Sequence, residues 1–200
     1  NIKIDRDYFE KSGGRPGIYF NFLISSYELY VNGVKVVSTG RFGRTGQESV
    51  PYLIPRLVLI DMPPGKDDLV IALRCSNYFH RGGGTLYAPV FGTYEDLQQN
   101  LWRKDFINIL LFGIILMMGI YHLFLWIGRR DDRASLYFTV GTLIVFFRLM
   151  ATSLYFQRLF PGVNLYEFNF KLIYISMPVG AMSFILFFNE LFRDDFNEKL

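Results

Sequence analysis

The stretch Phe106–Ile127, FINILLFGIILMMGIYHLFLWI, decides the fold because it runs for 22 residues without Asp, Glu, Lys or Arg. A helix of this length measures about 33 Å, enough to cross a hydrocarbon core of about 30 Å. Trp102 and Trp126 would lie about 36 Å apart along its axis, so that one indole reaches each lipid–water interface. The stretch therefore predicts a transmembrane helix with tryptophan anchors near both ends.

The chain divides at this helix into an aqueous and a lipid-embedded half. Up to Asp105 the sequence is rich in Gly, Pro, Asp and Arg and has only short apolar runs, whereas long apolar segments follow it. We expect an aqueous domain at residues 1–94, a helical connector at 95–105 and a membrane domain at 106–200. The membrane spans are expected at 106–127, 134–156 and 172–189.

Composition and motif content exclude several functional classes. The formal net charge of +3 is spread over both halves, without a basic run of the kind that binds nucleic acid. Cys75 is the only cysteine, and its position in an apolar run predicts a core residue. No Ser/His/Asp set, carboxylate pair or His/Cys cluster with metal-ligand spacing occurs. We therefore expect no catalytic residue, no metal and no cofactor.

A β-hairpin is predicted in the aqueous half, where two alternating runs flank Asn32–Gly33. Asn-Gly accepts the positive φ angles of a type I′ turn. A two-residue turn would pair Leu29 with Val36, and Tyr30 with Lys35. The buried face would comprise Tyr27, Leu29, Val31, Val34 and Val36.

Further short strands are expected on both sides of the hairpin. They would cover residues 18–24, 56–60, 69–76 and 86–91. Turns that contain Gly or Pro separate them, and no segment with helical periodicity competes before Tyr94. Many short strands with turns at these spacings favour an all-β sandwich of the jelly-roll type.

The loop SNYFHRGGGTLY, residues 76–87, is the main candidate ligand site. It gathers amide, phenol, imidazole and guanidinium groups, which suit a polyhydroxylated or anionic ligand. In the alternative interpretation, Asn77 and His80 tie the loop to its own backbone and the glycines supply turns. Arg41 and Tyr52 could line an anion-binding face nearby; in the alternative interpretation they lie in a solvated loop. The candidate binding residues are Asn77, Tyr78, His80, Arg81, Arg41 and Tyr52.

The connector is predicted to be helical and continuous with the first span. Thr93 can cap a helix whose first turn contains Glu95 and Asp96, where the helix dipole favours anions. No helix-breaking residue follows before Phe106. A movement of the sandwich would then reach the membrane through a rigid rod.

Three polar residues of the spans are candidates for signalling within the membrane. Arg148 lies in the second span, where an unpaired guanidinium costs about 2.5–3.5 kcal/mol. It should therefore face the bundle or a wet cavity, with His122, Glu190 or a helix absent from this chain as its partner, or it should snorkel to the interface. His122 is expected to form a hydrogen-bonded helix contact rather than a proton relay. Pro178 predicts a bend in the third span.

Parts of the aqueous half resemble a known sugar-binding fold. The runs YELYVNGVKVVSTGRFG, residues 27–43, and PRLVLIDMPPGKDDLVIALRCSN, residues 55–77, are similar to the jelly roll appended to many glycoside hydrolases. The resemblance implies a galactose-binding-like sandwich and a carbohydrate ligand, although a fold does not by itself define a function.

The whole chain resembles bacterial seven-transmembrane receptors with diverse intracellular signalling modules. The resemblance rests on the loop pattern SN..HR.GG, on GIYHL at 119–123, on RR.DR..LYF at 129–138 and on FR at 147–148. It implies a periplasmic ligand-binding domain, seven helices and a cytoplasmic output such as a diguanylate cyclase, a histidine kinase or an adenylyl cyclase. This chain is expected to be a truncated version, with three spans and no output domain.

The expected function is a non-enzymatic transmembrane signalling receptor of the bacterial inner membrane, a multi-pass protein whose N-terminal domain lies in the periplasm. Arg129, Arg130 and Arg133 favour a cytoplasmic loop after the first span, but the overall charge difference between the two sides is small. The expected partners are the lipid bilayer, a small-molecule ligand such as a sugar, and a second copy of the chain. Nucleic acid is not expected.

Two other functions compete with the receptor. In a transporter or channel component, Arg148, His122 and the bent third span would line a substrate path, although no second half-repeat is found. In an accessory protein, the sandwich would bind another protein or a polysaccharide without signalling.

Overall fold

The computed structural model describes residues 2–3, 6–21, 23–61, 68–82, 84–85 and 87–193. The chain forms two compact units. The first comprises Asn1–Lys104 together with Pro161–Tyr166, and the second comprises Asp105–Phe160 together with Glu167–Leu200. The first unit is rich in β-strands and the second is helical.

Short strands build the first unit. They are β1 (Ile2–Lys3), β2 (Pro16–Phe20), β3 (Leu23–Ile24), β4 (Ser26–Val31), β5 (Val34–Thr39), β6 (Arg56–Leu59), β7 (Asp68–Leu69), β8 (Ile71–Ser76), β9 (Gly84–Thr85) and β10 (Val90–Thr93). They form two three-stranded antiparallel sheets, in the orders β10-β2-β6 and β5-β4-β8, and the two-stranded pairs β1–β7 and β3–β9.

A common hydrophobic core joins the two larger sheets. Its buried members are Phe9, Ile18, Phe20, Leu23, Tyr27, Leu29, Val31, Val58, Ile60 and Leu69. Because these side chains come from both sheets, they bury apolar area that neither sheet could bury alone. A β-rich unit ahead of membrane helices is therefore confirmed, whereas the jelly-roll topology stays a prediction.

The predicted hairpin forms, but its register differs by one residue on one side. Tyr30 pairs with Lys35 as predicted, whereas Leu29 pairs with Val37 instead of Val36. A β-bulge between Leu29 and Tyr30 inserts Val36 as the extra residue of the second strand. A bulge breaks the strict alternation on which the predicted pairing rested.

The burial of the hairpin side chains also differs from the prediction. Tyr27, Leu29 and Val31 on β4 are buried as predicted, but Val34 and Val36 are 67 % and 41 % exposed. Both valines lie on β5, an edge strand that pairs on one side only. The predicted burial was right for the central strand and wrong for the edge strand.

A short helix, α1 (Arg6–Ser12), contradicts the prediction that no helix precedes Tyr94. Its two turns are too few for a clear helical period, but their charges suit the helix dipole, with Asp7 in the first turn and Lys11 in the last. Phe9 anchors it to the core. Gly13, at φ +63°, follows directly and ends the helix in the left-handed conformation.

The remaining strand predictions had mixed outcomes. Strand β6 covers most of the predicted 56–60, whereas the strands predicted at 18–24 and 69–76 are each divided in two, the first into β2 and β3 and the second into β7 and β8. Of the strand predicted at 86–91, only the end falls in β10, and Leu86 lies outside the described residues. Cys75 is exposed instead of buried, since β8 is an edge strand.

Helices follow strand β10. They are α2 (Tyr94–Gly128), α3 (Arg133–Thr152), α4 (Tyr155–Leu159) and α5 (Tyr166–Leu191). Among the described residues, α2, α3 and α5 are long and apolar enough to cross a membrane. Helix α3 stops before the predicted end of its span because Leu154 takes a left-handed conformation at φ +57°. Pro178 lies inside α5 without ending it.

Small residues allow the membrane helices to pack closely. A Cβ added at Gly119 of α2 would lie 3.0 Å from the Thr142 hydroxyl of α3. A Cβ at Gly141 of α3 would lie 3.5 Å from the Ser183 Cβ of α5. Close backbone approach of this kind is the usual basis of helix association in lipid, where the hydrophobic effect does not drive it.

An ionic contact fixes α4 to the beginning of the apolar part of α2. Nη1 of Arg158 donates to both carboxylate oxygens of Asp105, at 2.9 and 2.8 Å. The Tyr155 hydroxyl donates to the same carboxylate at 3.0 Å. Both charged side chains are 33 % exposed, so this charge-assisted contact is partly shielded from solvent.

We predict that Gly119→Leu destabilises the second unit, because the new side chain would collide with Thr142 and Leu143. Overpacking of this kind costs about 1–3 kcal/mol. Gly113→Leu on the same helix is the matched control, since nothing lies within 4 Å of its added Cβ. Thermal unfolding in detergent should show a lower Tm for the first variant alone, and equal Tm values would contradict the packing.

We predict that Asp132→Ala weakens the start of α3. Its carboxylate accepts hydrogen bonds from the backbone N–H and the hydroxyl of Ser135, at 3.1 and 2.6 Å, which holds the pKa of Asp132 below its usual value. Loss of such a cap costs about 1 kcal/mol. Because the folded-state pKa is lowered, this stabilisation is present at neutral pH and is lost as the pH falls through that pKa.

The neighbouring Asp131→Ala is the control for the cap. In the described structure, the Asp131 side chain makes no hydrogen bond to α3, so this variant should keep the wild-type Tm at neutral pH. Equal Tm values for Asp132→Ala and Asp131→Ala at pH 7 would show that the Asp132 cap contributes nothing.

Candidate functional site

Asn77 and His80 of the candidate loop bind the backbone of the loop itself. Nδ2 of Asn77 donates to the carbonyl oxygens of His80 and Gly82, at 2.7 and 3.4 Å, and its Oδ1 accepts from the His80 N–H at 3.2 Å. Nδ1 of His80 lies 3.0 Å from the N–H of Gly82. These bonds agree with the interpretation in which Asn77 and His80 tie the loop to its own backbone, and they give the loop a defined shape.

Tyr78 joins the candidate loop to the loop at residues 41–49. Its hydroxyl donates to the carbonyl of Arg44, and its ring lies beside Gly46. Within the second loop, Nε of Arg41 donates to the Glu48 carbonyl at 2.7 Å. The structure thus brings Tyr78 into contact with the loop that contains Arg41. Half of the Tyr78 side chain stays exposed.

A buried cluster of serine hydroxyls lies beneath these two loops. Ser26 and Ser76 are 2.7 Å apart, Ser49 and Ser76 are 2.9 Å apart, and Ser26 and Ser49 are 3.1 Å apart, all between hydroxyl oxygens. The three residues come from β4, β8 and the loop at 41–49, so the cluster ties that loop to the sheet. Sequence reasoning missed it because serines at such separations carry no local pattern.

The serine cluster has no catalytic equipment. In the part of the chain that the structure describes, its hydroxyls hydrogen-bond to one another, to the Ser76 carbonyl and to the Gly43 N–H, and to no histidine or carboxylate. A serine needs such a base to become a nucleophile. The same residues contain no group of three His, Cys, Asp or Glu side chains that could hold a metal.

Tyr52 contacts the segment 161–166. Its hydroxyl donates to the carbonyl of Pro161 at 3.1 Å, and Nδ2 of Asn164 donates to the carbonyl of Pro51 at 2.8 Å. Oδ1 of Asn164 accepts from the N–H of Tyr166, the first residue of α5, at 3.1 Å. All these residues belong to the first unit. The observed role of Tyr52 is therefore to anchor this segment.

Arg81 is exposed, and the described structure shows no hydrogen bond or ion pair of its side chain. Among the six predicted binding residues, its functional groups are therefore the most available to a ligand. Arg81 follows His80 directly in the loop that Asn77 holds in shape. The geometry is that of a free guanidinium on a structured loop, which suits recognition of an anion or of vicinal hydroxyl groups.

An apolar groove of about 360 Å³ lies at the edge of the β-unit. It is lined by Val31, Asn32, Val34, Val36, Leu59, Ile60 and Asp61. Its lining contains no aromatic ring, the usual platform for a sugar face. Sequence reasoning missed the groove because it placed Val34 and Val36 in the core.

The intramembrane candidates do not form one site. Nη1 of Arg148 donates to the Ile173 carbonyl and, at 3.1 Å, to the Ser176 hydroxyl of α5. His122 instead lies against Phe138, with ring centroids 4.1 Å apart. Phe138 precedes Arg148 by ten residues, or about 15 Å of helix. His122 is thus not a partner of Arg148.

Glu190 is likewise separate from Arg148. Its carboxylate lies 3.5 Å from Nη1 of Arg193, one turn further along α5. Ser176, which receives Arg148, precedes Glu190 by fourteen residues, or about 21 Å of helix. His122 also has a local partner, because its Nδ1 lies 2.9 Å from the Met118 carbonyl of its own helix. A path lined jointly by these polar residues therefore has no support in the described helices.

The two tryptophans that are predicted to be interfacial anchors both lie on α2. Trp102 is 70 % exposed on α2, and 24 residues, or about 36 Å of helix, separate it from Trp126. The guanidinium of Arg130 lies over the Trp126 ring, 4.3 Å from its centroid. A cation over an indole is typical of the boundary between lipid and water.

Comparison with known proteins agrees with the membrane part of the chain. Residues 104–199 match a family model described as 7TM diverse intracellular signalling. No curated protein and no solved structure matches the chain. The matched residues contain the whole of the apolar part of α2 and the whole of α3, α4 and α5. This match agrees with the family of seven-transmembrane receptors that the sequence resembles.

Proposed function

We propose that this chain is a transmembrane signalling receptor whose β-rich unit binds a small molecule outside the cytoplasm and transmits binding through α2. The observation that carries the proposal is the continuity of α2, which runs for 35 residues from the end of strand β10 to Gly128. A helix of this length measures about 52 Å, more than a bilayer core requires. The excess lies on the side of the β-unit.

The first turn of α2 is fixed to the β-unit. The Thr93 hydroxyl at the end of β10 accepts from the Asp96 N–H at 3.2 Å and so caps the helix. The Tyr94 N–H donates to the Arg15 carbonyl at 2.6 Å, next to β2. The Glu95 carboxylate accepts from the N–H and from Nε of Arg15, at 3.0 and 3.1 Å. A rearrangement of the sheet that contains β2 and β10 would thus move the helix start.

A second membrane helix also begins in the β-rich unit. Tyr166, the first residue of α5, is 4 % exposed and belongs to the first unit, where Asn164 connects it to Pro51. The chain therefore leaves this unit by two helices, α2 and α5. A conformational change of the β-unit on binding can therefore reach the membrane through either helix, which supports a signalling role over a purely adhesive one.

For the ligand, we propose a carbohydrate or an acidic metabolite bound at the two loops above the serine cluster. Arg81 and Arg41 supply guanidinium groups, and Tyr78 supplies a half-exposed ring for stacking. The serine cluster fixes the loops in advance, which reduces the entropy lost on binding. The resemblance to sugar-binding jelly rolls supports the carbohydrate class.

The proposed function also implies on which side of the membrane the β-unit lies. A ligand-binding unit ahead of the first span belongs on the outer side of a bacterial inner membrane, in the periplasm. The three arginines at 129, 130 and 133 then lie in the cytoplasm, in agreement with the positive-inside rule.

We predict that Arg81→Ala weakens ligand binding at least about tenfold, because a charge-assisted hydrogen bond is lost. The ligand is first identified by thermal shift of the intact protein in nanodiscs against sugars and acidic metabolites. Lys11→Ala on α1 is the control and should leave both Tm and affinity unchanged. If Arg81→Ala and Arg41→Ala both keep the wild-type affinity, the proposed ligand site is wrong.

We predict that a Gly-Ser pair inserted after Gln99 uncouples binding from the membrane response. The response is read from an environment-sensitive fluorophore on Ile127→Cys, in a Cys75→Ser background. The insertion should leave ligand affinity intact and abolish the fluorescence change, since flexible residues interrupt the rod. The control Gln98→Ala/Gln99→Ala keeps the helix and should respond normally. An unchanged response in the insertion variant would refute transmission through α2.

A further inference from the structure

The apolar groove of the β-unit opens between the two three-stranded sheets. Val31 and Ile60 line it and also belong to the hydrophobic core. Val34 and Val36 on β5 and Leu59 on β6 complete its apolar lining, and in the described sheets both strands are edge strands. The groove therefore continues the apolar core to the surface, where the two valines of β5 are exposed.

The groove lies at the opposite end of β4 from the ligand site proposed above. Ser26, at the beginning of this strand, belongs to the serine cluster, whereas Val31, at its end, lines the groove. Val31 follows Ser26 by five residues, or about 17 Å of extended strand. A small molecule in the groove would therefore occupy a second site, and its binding does not depend on the proposed carbohydrate site.

The hairpin turn gives the groove a preformed rim. Asn32 and Gly33 take left-handed conformations, at φ +50° and +84°, as an Asn-Gly turn requires. The Asn32 N–H donates to the Val70 carbonyl at 2.8 Å, and its Oδ1 accepts from the Val70 N–H at 3.0 Å. These bonds fix the turn to the neighbouring chain segment, so less entropy is lost when a ligand binds.

The charge of the groove is negative. Asp61 is the one charged residue of the described lining; it is exposed and forms no hydrogen bond or ion pair with the described residues. Lys35 lies between the two valines in the sequence, but its ammonium group binds the Glu28 carboxylate. Arg74 lies 3.7 Å from the same carboxylate. The groove thus combines an apolar surface with an uncompensated carboxylate, which is complementary to a cation with a hydrocarbon body.

The size of the groove favours a small molecule over a protein partner. Its volume of about 360 Å³ lies within the range of about 300–1,000 Å³ that is usual for small-molecule sites. A stable protein interface takes about 20–30 residues from each partner, whereas seven described residues line the groove.

We propose that the groove binds a small amphipathic amine. Its ammonium group pairs with Asp61, and its hydrocarbon part covers Val34, Val36 and Leu59. Burial of apolar area supplies most of the affinity. The ion pair is exposed and contributes less, but it selects a cation over a neutral or anionic molecule of the same shape.

The test uses hexylammonium, hexan-1-ol and hexanoate, which share one hydrocarbon chain and differ in charge. Each is titrated calorimetrically into the intact protein in nanodiscs at neutral pH, and empty nanodiscs measure uptake into lipid. The wild type should bind hexylammonium about fivefold more tightly than hexan-1-ol, and hexanoate most weakly. Asp61→Asn should remove the preference for hexylammonium and keep the affinity for hexan-1-ol.

Asp7→Asn is the matched control for the loss of one carboxylate. Asp7 lies on α1, whose Phe9 contacts Phe91 of β10, with ring centroids 5.8 Å apart. Strand β10 lies at the other edge of the sheet from β6, so this carboxylate is remote from the groove. The Asp7→Asn variant should keep the wild-type preference for hexylammonium.

A second variant tests the apolar part of the site. Val36→Trp should abolish the binding of hexylammonium and hexan-1-ol alike, because the indole fills the groove, and it should leave the Tm unchanged because Val36 is exposed. The proposal is wrong if hexylammonium gives no heat above that of empty nanodiscs, or if its advantage over hexan-1-ol survives Asp61→Asn. It is also wrong if no probe binds and Val36→Trp converts a dimer into a monomer, since a second copy then covers the groove.

Discussion

The hydrocarbon core of a bilayer contains no water to hydrogen-bond the backbone, and α2 meets this constraint by keeping an unbroken helix from Tyr94 to Gly128. Because its bonds are internal, the helix can pass from water into lipid without unpaired backbone groups. Helix α3 packs against it at Gly119, and α5 packs against α3 at Gly141. The ion pair of Asp105 with Arg158 fixes α4 beside α2.

The β-rich unit is connected to the start of α2 both covalently and by hydrogen bonds. Strand β10 passes directly into the helix at Thr93. Arg15, which precedes the neighbouring strand β2, contacts the first turn of the helix. The same unit contains residues 161–166, which lead into α5. Ligand binding in a unit connected to two membrane helices can shift the balance between membrane conformations, provided that the ligand prefers one of them.

The sequence predicted those features that depend on composition over many residues. The uncharged run at 106–127 predicted the first span, and the absence of breakers predicted its continuity with the connector. Single-residue features escaped prediction: the bulge at Val36 changed the register of the hairpin, and Leu154 ended α3 early. Contacts between distant segments, such as the serine cluster or Tyr52 with Pro161, have no local pattern by which a sequence could show them.

The candidate site was also only partly predictable: its residue types could be recognised in the sequence, but its contacts could not. The loop of Asn77 and His80 was recognisable from its residue types, but only coordinates show that its amide and imidazole groups bind its own backbone, while Arg81 is left available. Arg148 was recognisable as a charge in an apolar span. Its actual partners, Ile173 and Ser176, became known only from the packing of α3 on α5.

The rigidity of α2 is tested most directly by a distance measurement between spin labels on Asn100→Cys and Ile127→Cys, in a Cys75→Ser background. The two positions are 27 residues apart in one helix, so their backbones should be separated by about 40 Å. A rigid rod predicts one narrow distance distribution near this value, unchanged when ligand is added. A broad distribution, or a distinctly shorter distance in either state, would show that the helix bends or breaks between water and lipid and would contradict transmission through it.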